Sequence, residues 1–378
     1  MAVTRVETIP IAVPVAPLEE GGLAPYSSNH DEVETVGRTL VRVETDDGIT
    51  GWGEMLTAMQ SPSVTKAVID DVIAPELIGR DLDEIRDFVA SFYYPYVKTR
   101  PFLGAVETAL WDALGKRRGA SVSELLGGGL RETVDVAYCL GMLSEDESRR
   151  YAARALEQGF DVLKTKAGPD WKADVDRIRA MHDETDGELE FRLDPNQGWT
   201  VDEAVRAGAA LEDAGIYLQY LEQPCRIDSY GTYERLRQRL RQPIAANEDT
   251  YFPRNLYYLC ERSAVDVAGV DLVPAGGLLG VREQIAVAEA AGISVTHHNG
   301  FDLGIKQAAV LHLYASTPAL TLAPDSVYYG WADHVLEDPL EVENGAIRVP
   351  DGPGLGVSVD EAAVERYRVE SGRDASGC

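Results

Sequence analysis

The stretch Asp161-Val-Leu-Lys164-Thr-Lys166-Ala-Gly168 predicts a short strand that ends in two lysines. Successive side chains of a strand alternate between its faces, so Lys164 and Lys166 point the same way. The chain has only seven lysines against 28 arginines, and solubility does not explain why two of them stand so close together. Each ammonium group disfavours the charge of the other, which lowers a lysine pKa toward that of a useful base. An edge strand with exposed charges is the alternative interpretation of this stretch taken alone.

Similar strands recur after residue 130, alternating with longer amphipathic runs. From Lys166 onward, their ends are 24 to 28 residues apart, which is the size of one βα unit. The predicted strand ends are Cys139, Lys166, Asp194, Glu222, Asn247, Asp271, His298 and Asp325. Eight parallel strands separated by helices predict a barrel with its chemistry at the C-terminal strand ends. An open doubly wound sheet is the alternative source of the same period.

The residues before this repeat predict a different structure. Alternation over residues 39–45 and 49–54, on either side of Asp46-Asp47-Gly48, predicts a hairpin. Helical spacing follows from about residue 62 to residue 126. A polar loop over residues 19–33 precedes the hairpin and carries His30, and we interpret it as a linker or a lid.

Composition changes mark the domain boundaries. The break at Leu125-Leu-Gly-Gly-Gly129 separates a predicted α+β capping domain, residues 1–129, from the barrel, residues 130–335. Residues 336–378 return to β and turn character and are too few for a domain. We expect this C-terminal segment to pack back on the capping domain.

The charge of the chain argues against two classes of partner. With 63 acidic and 35 basic residues, its net charge is −28, which argues against binding to nucleic acid or to an anionic membrane surface. The preference for arginine over lysine, with abundant Asp and Glu, suggests a surface adapted to high salt.

Neither the cysteines nor the N-terminus indicates export. The four cysteines are scattered, without a Cys-x-x-Cys pair, so we expect small buried thiols in a reducing compartment. The N-terminus has no apolar signal region, and no apolar run approaches 18 residues. We therefore expect a cytoplasmic protein.

Three successive strand ends carry oxygen ligands. They are Asp194, Glu222 and the cluster Asn247-Glu248-Asp249. Oxygen donors without sulfur suit a hard cation and indicate Mg²⁺. Taken singly, each of these residues could belong to an ordinary turn, but three in register beside Lys164 and Lys166 favour a metal site.

A carboxylate and a histidine end the sixth and seventh strands. Asp271 can hydrogen-bond His298, fix its tautomer and raise its pKa. His297 is adjacent, and the sequence does not decide which of the two histidines faces the barrel mouth.

In these motifs the chain resembles the enolase superfamily, in its mandelate racemase and sugar-acid dehydratase group. The resemblance covers nearly the whole chain. It is carried by Lys164-Thr-Lys166, Leu193-Asp-Pro-Asn-Gln-Gly198, Leu221-Glu-Gln-Pro224, Pro243-Ile-Ala-Ala-Asn247, Asp271 five residues before Gly276-Gly277, His298, and Gly352-Pro-Gly-Leu-Gly356. The resemblance implies a modified TIM barrel, (β/α)7β, with an α+β capping domain. It also implies metal-assisted removal of the proton α to a carboxylate.

The resemblance further implies a role for each residue. Lys166 matches the base, Lys164 its helper, and Asp271 with His298 the opposing dyad. Asp194 and Glu222 match metal ligands of one Mg²⁺ per subunit. Many relatives have Asp-Glu where this chain has Asn247-Glu248, so Asn247 is the preferred third ligand, as in the glucarate dehydratase group, with Glu248 and Asp249 left open. Asn196 and Asp325 match polar positions of that group, and His30 and His297 are further candidates for substrate contact.

We therefore expect a Mg²⁺-dependent dehydratase that converts an aldonate or aldarate to a 2-keto-3-deoxy acid. A racemase, epimerase or lactone cycloisomerase is the alternative within the same chemistry. A barrel that binds sugar acids or metal without turnover is the alternative of another class. The expected partners are a small sugar acid and further copies of the chain, as a dimer or a multiple of dimers.

Overall fold

An antiparallel sheet of three strands forms the N-terminal part of the protein. The computed structural model describes residues 2–56, 61–92, 99–227 and 230–369. Its first five strands are β1 (Val3–Pro14), β2 (Tyr26–Ser27), β3 (Glu32–Val33), β4 (Thr35–Thr45) and β5 (Thr50–Leu56). The sheet has the order β1–β4–β5, and β2 pairs with β3 in a separate ribbon within the polar loop. The predicted hairpin is confirmed, since β4 and β5 pair antiparallel around residues 46–48.

Helices follow this sheet along the chain. They are α1 (Pro62–Val68), α2 (Ala74–Leu77), α3 (Ile85–Ser91), α4 (Arg100–Arg118) and α5 (Val122–Leu125), with a π-helical turn at Ile69–Ile73. Helix α4 lies directly on β5, where a side-chain carbon at Gly53 would stand 1.8 Å from the carbonyl oxygen of Ala105. The glycine in β5 is therefore required for the close approach of strand and helix.

The second part of the chain contains eight parallel strands in one sheet. A short strand, β6 (Thr133–Asp135), precedes them and lies in a different sheet. The parallel strands are β7 (Ala137–Leu140), β8 (Val162–Lys166), β9 (Glu190–Asp194), β10 (Tyr220–Glu222), β11 (Ile244–Ala246), β12 (Val267–Val270), β13 (Ser294–His297) and β14 (Asp325–Ser326). Each ends within one residue of its predicted end, so the polar residues gather at one mouth.

Helices follow each of the first seven parallel strands. They are α6 (Glu145–Glu157), α7 (Trp171–Glu184), α8 (Val201–Asp213), α9 (Tyr230–Arg239), α10 (Pro253–Glu261), α11 (Leu272–Ala275), α12 (Leu278–Ala290) and α13 (Gly304–Ser316). Reciprocal capping boxes, with Ser144 and Glu147 at α6 and Thr200 and Glu203 at α8, fix where these helices begin. The strand predicted over residues 216–222 is shorter than expected, because the amide of Ile216 donates to Leu211 in the turn that ends α8.

The strand order closes the sheet into a barrel. The order is β13-β12-β11-β10-β9-β8-β7-β14. The two end strands approach each other through a parallel bridge between Val295 and Leu320, and the hydroxyl of Thr296 donates to Ala323 at 2.9 Å. The predicted (β/α)7β barrel with an α+β capping domain is confirmed.

The C-terminal residues contact both parts of the chain. Strands β15 (Val342–Glu343) and β16 (Ala346–Arg348) join β6, and α14 (Glu361–Tyr367) follows. The amide of Val369 donates to Pro10 in β1 at 3.0 Å. The exact domain boundaries at residues 129 and 335 stay predictions. In the parts of the chain that the structure describes, no helix combines the length and apolarity needed to cross a membrane.

Candidate active site

A cavity of about 320 Å³ opens at the C-terminal mouth of the barrel. Its wall combines side chains from the strand ends with side chains from the polar loop over residues 19–33. The predicted site residues on this wall are Lys164, Lys166, Asn196, His298, Asp325 and His30. The structure thus brings six of the predicted residues to one surface.

Lys164 lies among three carboxylates on the inner face of β8. Its ammonium nitrogen is 2.7 Å from Glu222, 2.8 Å from Asp325 and 3.4 Å from Asp194. Burial lowers the pKa of Lys164, but Asp325, Glu222 and Asp194 outweigh burial and hold this pKa well above its ordinary value. The expected lowering by the neighbouring lysine is therefore wrong for Lys164, because the three carboxylates dominate.

Lys166 lies two residues beyond Lys164, at the C-terminal end of β8. It is the register partner of Asp194 across β8 and β9, and its ammonium nitrogen is 2.6 Å from Asp194 Oδ2. Burial alone would raise the pKa of Asp194, but Lys166 and Lys164 outweigh it and lower this pKa. Lys166 keeps 12% of its side chain exposed, against 3% for Lys164, so it is the lysine that a substrate reaches more easily.

The carboxylates behind the lysines repel one another. Burial raises the pKa of Glu222 to about 7 in spite of Lys164, and Asp194 and Asp325 add to the effect. Burial, followed by the charge of Asp194, also raises the pKa of Glu248. Among the described residues, no three His, Cys, Asp or Glu side chains already converge at metal-binding distance, and the two ammonium groups neutralise the acids instead.

Of the three candidates for the third metal ligand, the contacts favour Glu248 over Asn247 and Asp249. Glu248 Oε1 accepts from Gln197 at 3.1 Å, while Oε2 is buried without a hydrogen-bond partner. An orphaned buried carboxylate oxygen beside two other acids fits a divalent cation. This donor set therefore suits Mg²⁺.

Asn247 and Asp249 are engaged elsewhere. The side-chain nitrogen of Asn247, Nδ2, donates to the Gly269 carbonyl at 3.0 Å, and its side-chain oxygen, Oδ1, accepts from the Tyr251 hydroxyl at 3.3 Å. Asp249 accepts from Gln223 at 2.9 Å and from Tyr233 at 3.0 Å. The geometry thus departs from the preference for Asn247 that the resemblance suggested.

Asp271 and His298 form the predicted pair. The Nδ1 atom of His298 is 3.2 Å from Asp271 Oδ2, and the ring lines the cavity. The other carboxylate oxygen, Oδ1, is 2.9 Å from Lys306 Nζ and accepts from the Val273 amide. Burial would raise the pKa of Asp271, but Lys306 and the hydrogen bond from His298 outweigh it and hold this pKa far below its ordinary value.

His297 does not join the cavity. Its side chain points into the barrel wall, where Nε2 accepts from the Leu272 amide at 3.0 Å. Burial lowers the pKa of His297 to about 4, so the ring is neutral. The expectation that His297 contacts substrate is therefore corrected, because alternation along the strand sends only His298 to the mouth.

The polar loop is docked on the strand end after β9. His30 Nε2 is 3.0 Å from the Asn196 carbonyl, and the side chain of Asn29 donates to the Pro195 carbonyl at 2.8 Å. The amide of Asn196 in turn donates to Asp194 Oδ1 at 2.9 Å. The polar loop thus contacts the segment that also carries Asp194.

Two residues of the site were missed at the level of sequence. Arg192 holds the second oxygen of Asp325 at 2.7 Å, and with Lys164 it keeps the pKa of Asp325 below its ordinary value despite burial. Arg192 precedes Asp194 by two residues, so strand alternation predicts that both face inward. Lys306 is one of only seven lysines and lies in a largely apolar helix, and this pattern is the signal that the sequence offers.

Comparisons with known proteins agree with this geometry. Residues 147–363 match the family described as enolase C-terminal domain-like, and residues 17–127 match the N-terminal domain of mandelate racemase / muconate lactonizing enzyme. A muconate cycloisomerase of Acinetobacter lwoffii is 31% identical over 99% of this chain and 97% of its own length. An arabinonate dehydratase of Saccharolobus solfataricus is 27% identical over 87% of this chain and 90% of its own length.

A solved structure shows the same architecture. An isomerase from Streptomyces coelicolor A3(2) superimposes with a TM-score of 0.83 at 33% identity, covering 97% of this chain and 96% of that one. The matched families span both the capping domain and the barrel. The chain therefore belongs to the mandelate racemase / muconate lactonizing group of the enolase superfamily of enzymes.

Proposed function

We propose that this enzyme is a Mg²⁺-dependent dehydratase of a sugar acid. It removes the proton α to the carboxylate, eliminates the β-hydroxyl and releases a 2-keto-3-deoxy acid. The observation that carries this proposal is that Lys166 and His298 line one cavity and come from barrel strands that are not adjacent. A base and an acid that reach one substrate from two sides are what an elimination requires.

Lys166 is the proposed base. In its neutral form it accepts the α-proton, and the electron pair of the broken C–H bond moves into the carboxylate. The charge that develops there is offset by the ammonium group of Lys164, which its three carboxylate neighbours keep protonated. Lys164 therefore acts as an electrostatic helper and Lys166 as the proton acceptor.

His298 is the proposed acid. Held by Asp271 at 3.2 Å, the protonated ring gives a proton to the β-hydroxyl. The C–O bond breaks, water leaves, and the electron pair from the α-carbon forms the C=C bond of an enol. The enol then becomes the 2-keto acid.

Asp194, Glu222 and Glu248 would hold one Mg²⁺ per subunit. The unpartnered Oε2 of Glu248 supports its choice over Asn247 and Asp249. A bound Mg²⁺ supplies positive charge that stabilises the negative charge developing on the substrate carboxylate.

The lid supports a polyhydroxylated substrate. Polar side chains at the cavity include Ser28, His30 and Asp31 from the lid and Asn196 and Asn299 from the barrel. Such groups can hydrogen-bond several hydroxyls, with His30 and Asn196 as the proposed substrate contacts. Tyr26, Leu56 and Phe301 belong to the apolar part of the wall, which is larger than the polar part.

An epimerase or lactone cycloisomerase is the second candidate. In an epimerase His298 returns a proton to the α-carbon, from the face opposite Lys166, instead of protonating a leaving hydroxyl. In a lactone cycloisomerase the bond that breaks joins the β-carbon to the carboxylate oxygen of the lactone ring, so that no water is lost. The similarity to a muconate cycloisomerase and to an isomerase structure favours this second candidate. A barrel that only binds its ligand is a weaker candidate, because binding alone does not require a Lys-x-Lys pair.

The deciding experiment is a screen of aldonic and aldaric acids in deuterated water with Mg²⁺ and high KCl. A dehydratase gives a 2-keto acid, which semicarbazide or NMR detects. An epimerase or cycloisomerase gives α-deuterium in a product of unchanged composition apart from the label. A substrate that is bound but neither labelled nor converted would contradict both catalytic proposals.

We further propose a cytoplasmic homo-oligomer, a dimer or a multiple of dimers. Cys139, Cys225 and Cys260 are free thiols, which suits a reducing compartment. Light scattering coupled to gel filtration in high KCl tests the assembly, and a monomeric mass contradicts it.

A further inference from the structure

Lys306 is a buried cation that is separated from the proposed acid, His298, by Asp271, which contacts both side chains. It lies in the first turn of α13, and only 4% of its side chain is exposed. Its ammonium nitrogen is 2.9 Å from Asp271 Oδ1 and 2.9 Å from Asp302 Oδ1. Burial lowers the pKa of Lys306, but Asp271 and Asp302 outweigh burial and raise it, so the group is charged at neutral pH.

The ion pair continues into the capping domain. Arg38 in β4 contacts Asp302 at 3.2 Å and Glu54 at 2.7 Å, and all three side chains are almost completely buried. The network formed by Asp271, Lys306, Asp302, Arg38 and Glu54 contains three carboxylates and two cations. A proton on His298 would balance its charge.

Glu54 also fixes the backbone that carries Lys306. Its two carboxylate oxygens accept from the amide of Leu303 at 2.7 Å and from the amide of Lys306 at 2.9 Å. A strand of the capping domain therefore caps the helix that positions this cation. The position of Lys306 is set from both domains, which argues against an incidental surface pair.

We propose that Lys306 is a positioning residue for the Asp271–His298 pair. Its ammonium group holds one oxygen of Asp271 and competes with His298 for the charge of that carboxylate, so that His298 releases its proton more readily. This inference rests on the proposed role of His298 as the acid. It adds a residue that touches neither substrate nor metal to the machinery of proton delivery.

The contacts of Asp271 predict how loss of either partner of the Lys306–Asp302 pair changes the proton affinity of His298. With Lys306 in place, Asp271 Oδ1 has two donors, Lys306 and the Val273 amide, and only Oδ2 faces His298. Without the cation, the full charge of Asp271 acts on the imidazole, and His298 holds its proton more tightly. Loss of the negative charge at Asp302 acts in the opposite sense, because Lys306 then interacts with Asp271 alone.

Other charged groups around His298 stay constant in this comparison. They come from several elements packed around the mouth. They include Lys164 and Lys166 on β8, Glu222 on β10, Glu248 after β11, His297 on β13, Asp325 on β14, and His30 and Asp31 in the polar loop. A change confined to Lys306 or Asp302 therefore reports on the network behind Asp271.

The test follows the titration of the His298 ring by NMR in the full protein, labelled with ¹³C-histidine and kept in constant MgCl₂ and KCl. The chain has six histidines, and the His298→Asn variant identifies the signal. We expect Lys306→Met to move the titration midpoint up by about one pH unit and Asp302→Asn to move it down. Lys172→Met, which removes an exposed lysine from α7, leaves it unchanged.

Two results would overturn the proposal: an unmoved midpoint in a folded Lys306→Met variant, or shifts of the same sign in both variants. If Lys306→Met does not fold, the nearly isosteric Asp302→Asn decides alone, and an unmoved midpoint there overturns the proposal. The titration needs no substrate. A failed screen of sugar acids would therefore count against the proposed function and leave this measurement intact.

Discussion

Lys166 and Asp194 face each other across neighbouring parallel strands, with 2.6 Å between the ammonium nitrogen and Oδ2. They are register partners in β8 and β9, so the contact is built into the pairing of the barrel. The proposed base is thus ion-paired to a proposed metal ligand. Accepting a proton requires that Lys166 leave this pair in its neutral form.

Replacement of Lys166 by methionine tests the base. We expect exchange of the substrate α-proton with deuterated solvent to fall by about 10²- to 10⁴-fold, the usual contribution of a positioned base. The measurement is NMR of the substrate during incubation with the enzyme. Lys172→Met is the matched control at an exposed position of α7 and should keep wild-type exchange. Full exchange activity in Lys166→Met would remove Lys166 from the mechanism.

Replacement of His298 by asparagine separates the two half-reactions. The variant retains a base but lacks the acid, so we expect water loss to fall by about 10²- to 10⁴-fold while α-proton exchange through Lys166 persists. Product formation and deuterium uptake are measured in the same sample. Equal loss of both signals would indicate that His298 is needed for substrate binding or for the first step.

Substitutions of Glu248 and of Asn247 should affect Mg²⁺ binding to different extents. We expect Glu248→Gln to weaken Mg²⁺ binding by at least about tenfold, a loss that even an outer partner of a metal ligand can cause. Asn247→Ala should have a smaller effect, since its side chain is engaged with Gly269 and Tyr251. Calorimetric titration with MgCl₂ alone measures both, with the exposed Glu289→Gln as control. A larger loss in Asn247→Ala would restore Asn247 as the ligand.

A buried acid between the two domains predicts how stability depends on pH. Burial raises the pKa of Glu107 to about 7, although the amides of Leu278 and Leu279 and the indole of Trp111 all donate to it. A folded-state pKa above the unfolded value means that this contribution to stability is complete below about pH 4.5 and is lost as pH rises through 7. The loss is at most about 3 kcal/mol.

Glu107→Gln does not titrate. The free energy of unfolding of the variant minus that of the wild type should therefore rise between pH 5 and pH 8. Urea unfolding at several pH values, in constant KCl and MgCl₂, gives this difference directly. A pH-independent difference would show that Glu107 is ionised over the whole range.

The excess of acidic residues predicts dependence on salt. A net charge of −28 makes the folded chain repel itself, and screening weakens that repulsion. We expect the melting temperature to increase steeply between low and molar KCl. Thermal unfolding followed by circular dichroism measures it, with sorbitol at matched osmolality as the uncharged control. Ordinary stability without salt would contradict an adaptation to high salt.

Local sequence predicted much of the barrel mouth. Alternation along a strand places Lys164 and Lys166 on one face, and the interval of about one βα unit brings Asp194, Glu222, Asp271 and His298 to one edge. The same alternation would have predicted Arg192, two residues before Asp194. These relations are short-range or periodic, so a sequence expresses them directly.

Only the tertiary structure decided which of two neighbours serves the site. His298 faces the cavity while His297 is buried against Leu272, and Glu248 keeps a free oxygen while Asn247 is engaged. Lys306, Arg38 and Glu54 meet behind Asp271 although they come from distant parts of the chain. The sequence by itself determined the chemical groups and the strand ends that carry them. The protonation and pairing of these groups depend on burial and on contacts between the capping domain and the barrel. Both exist only in the folded protein.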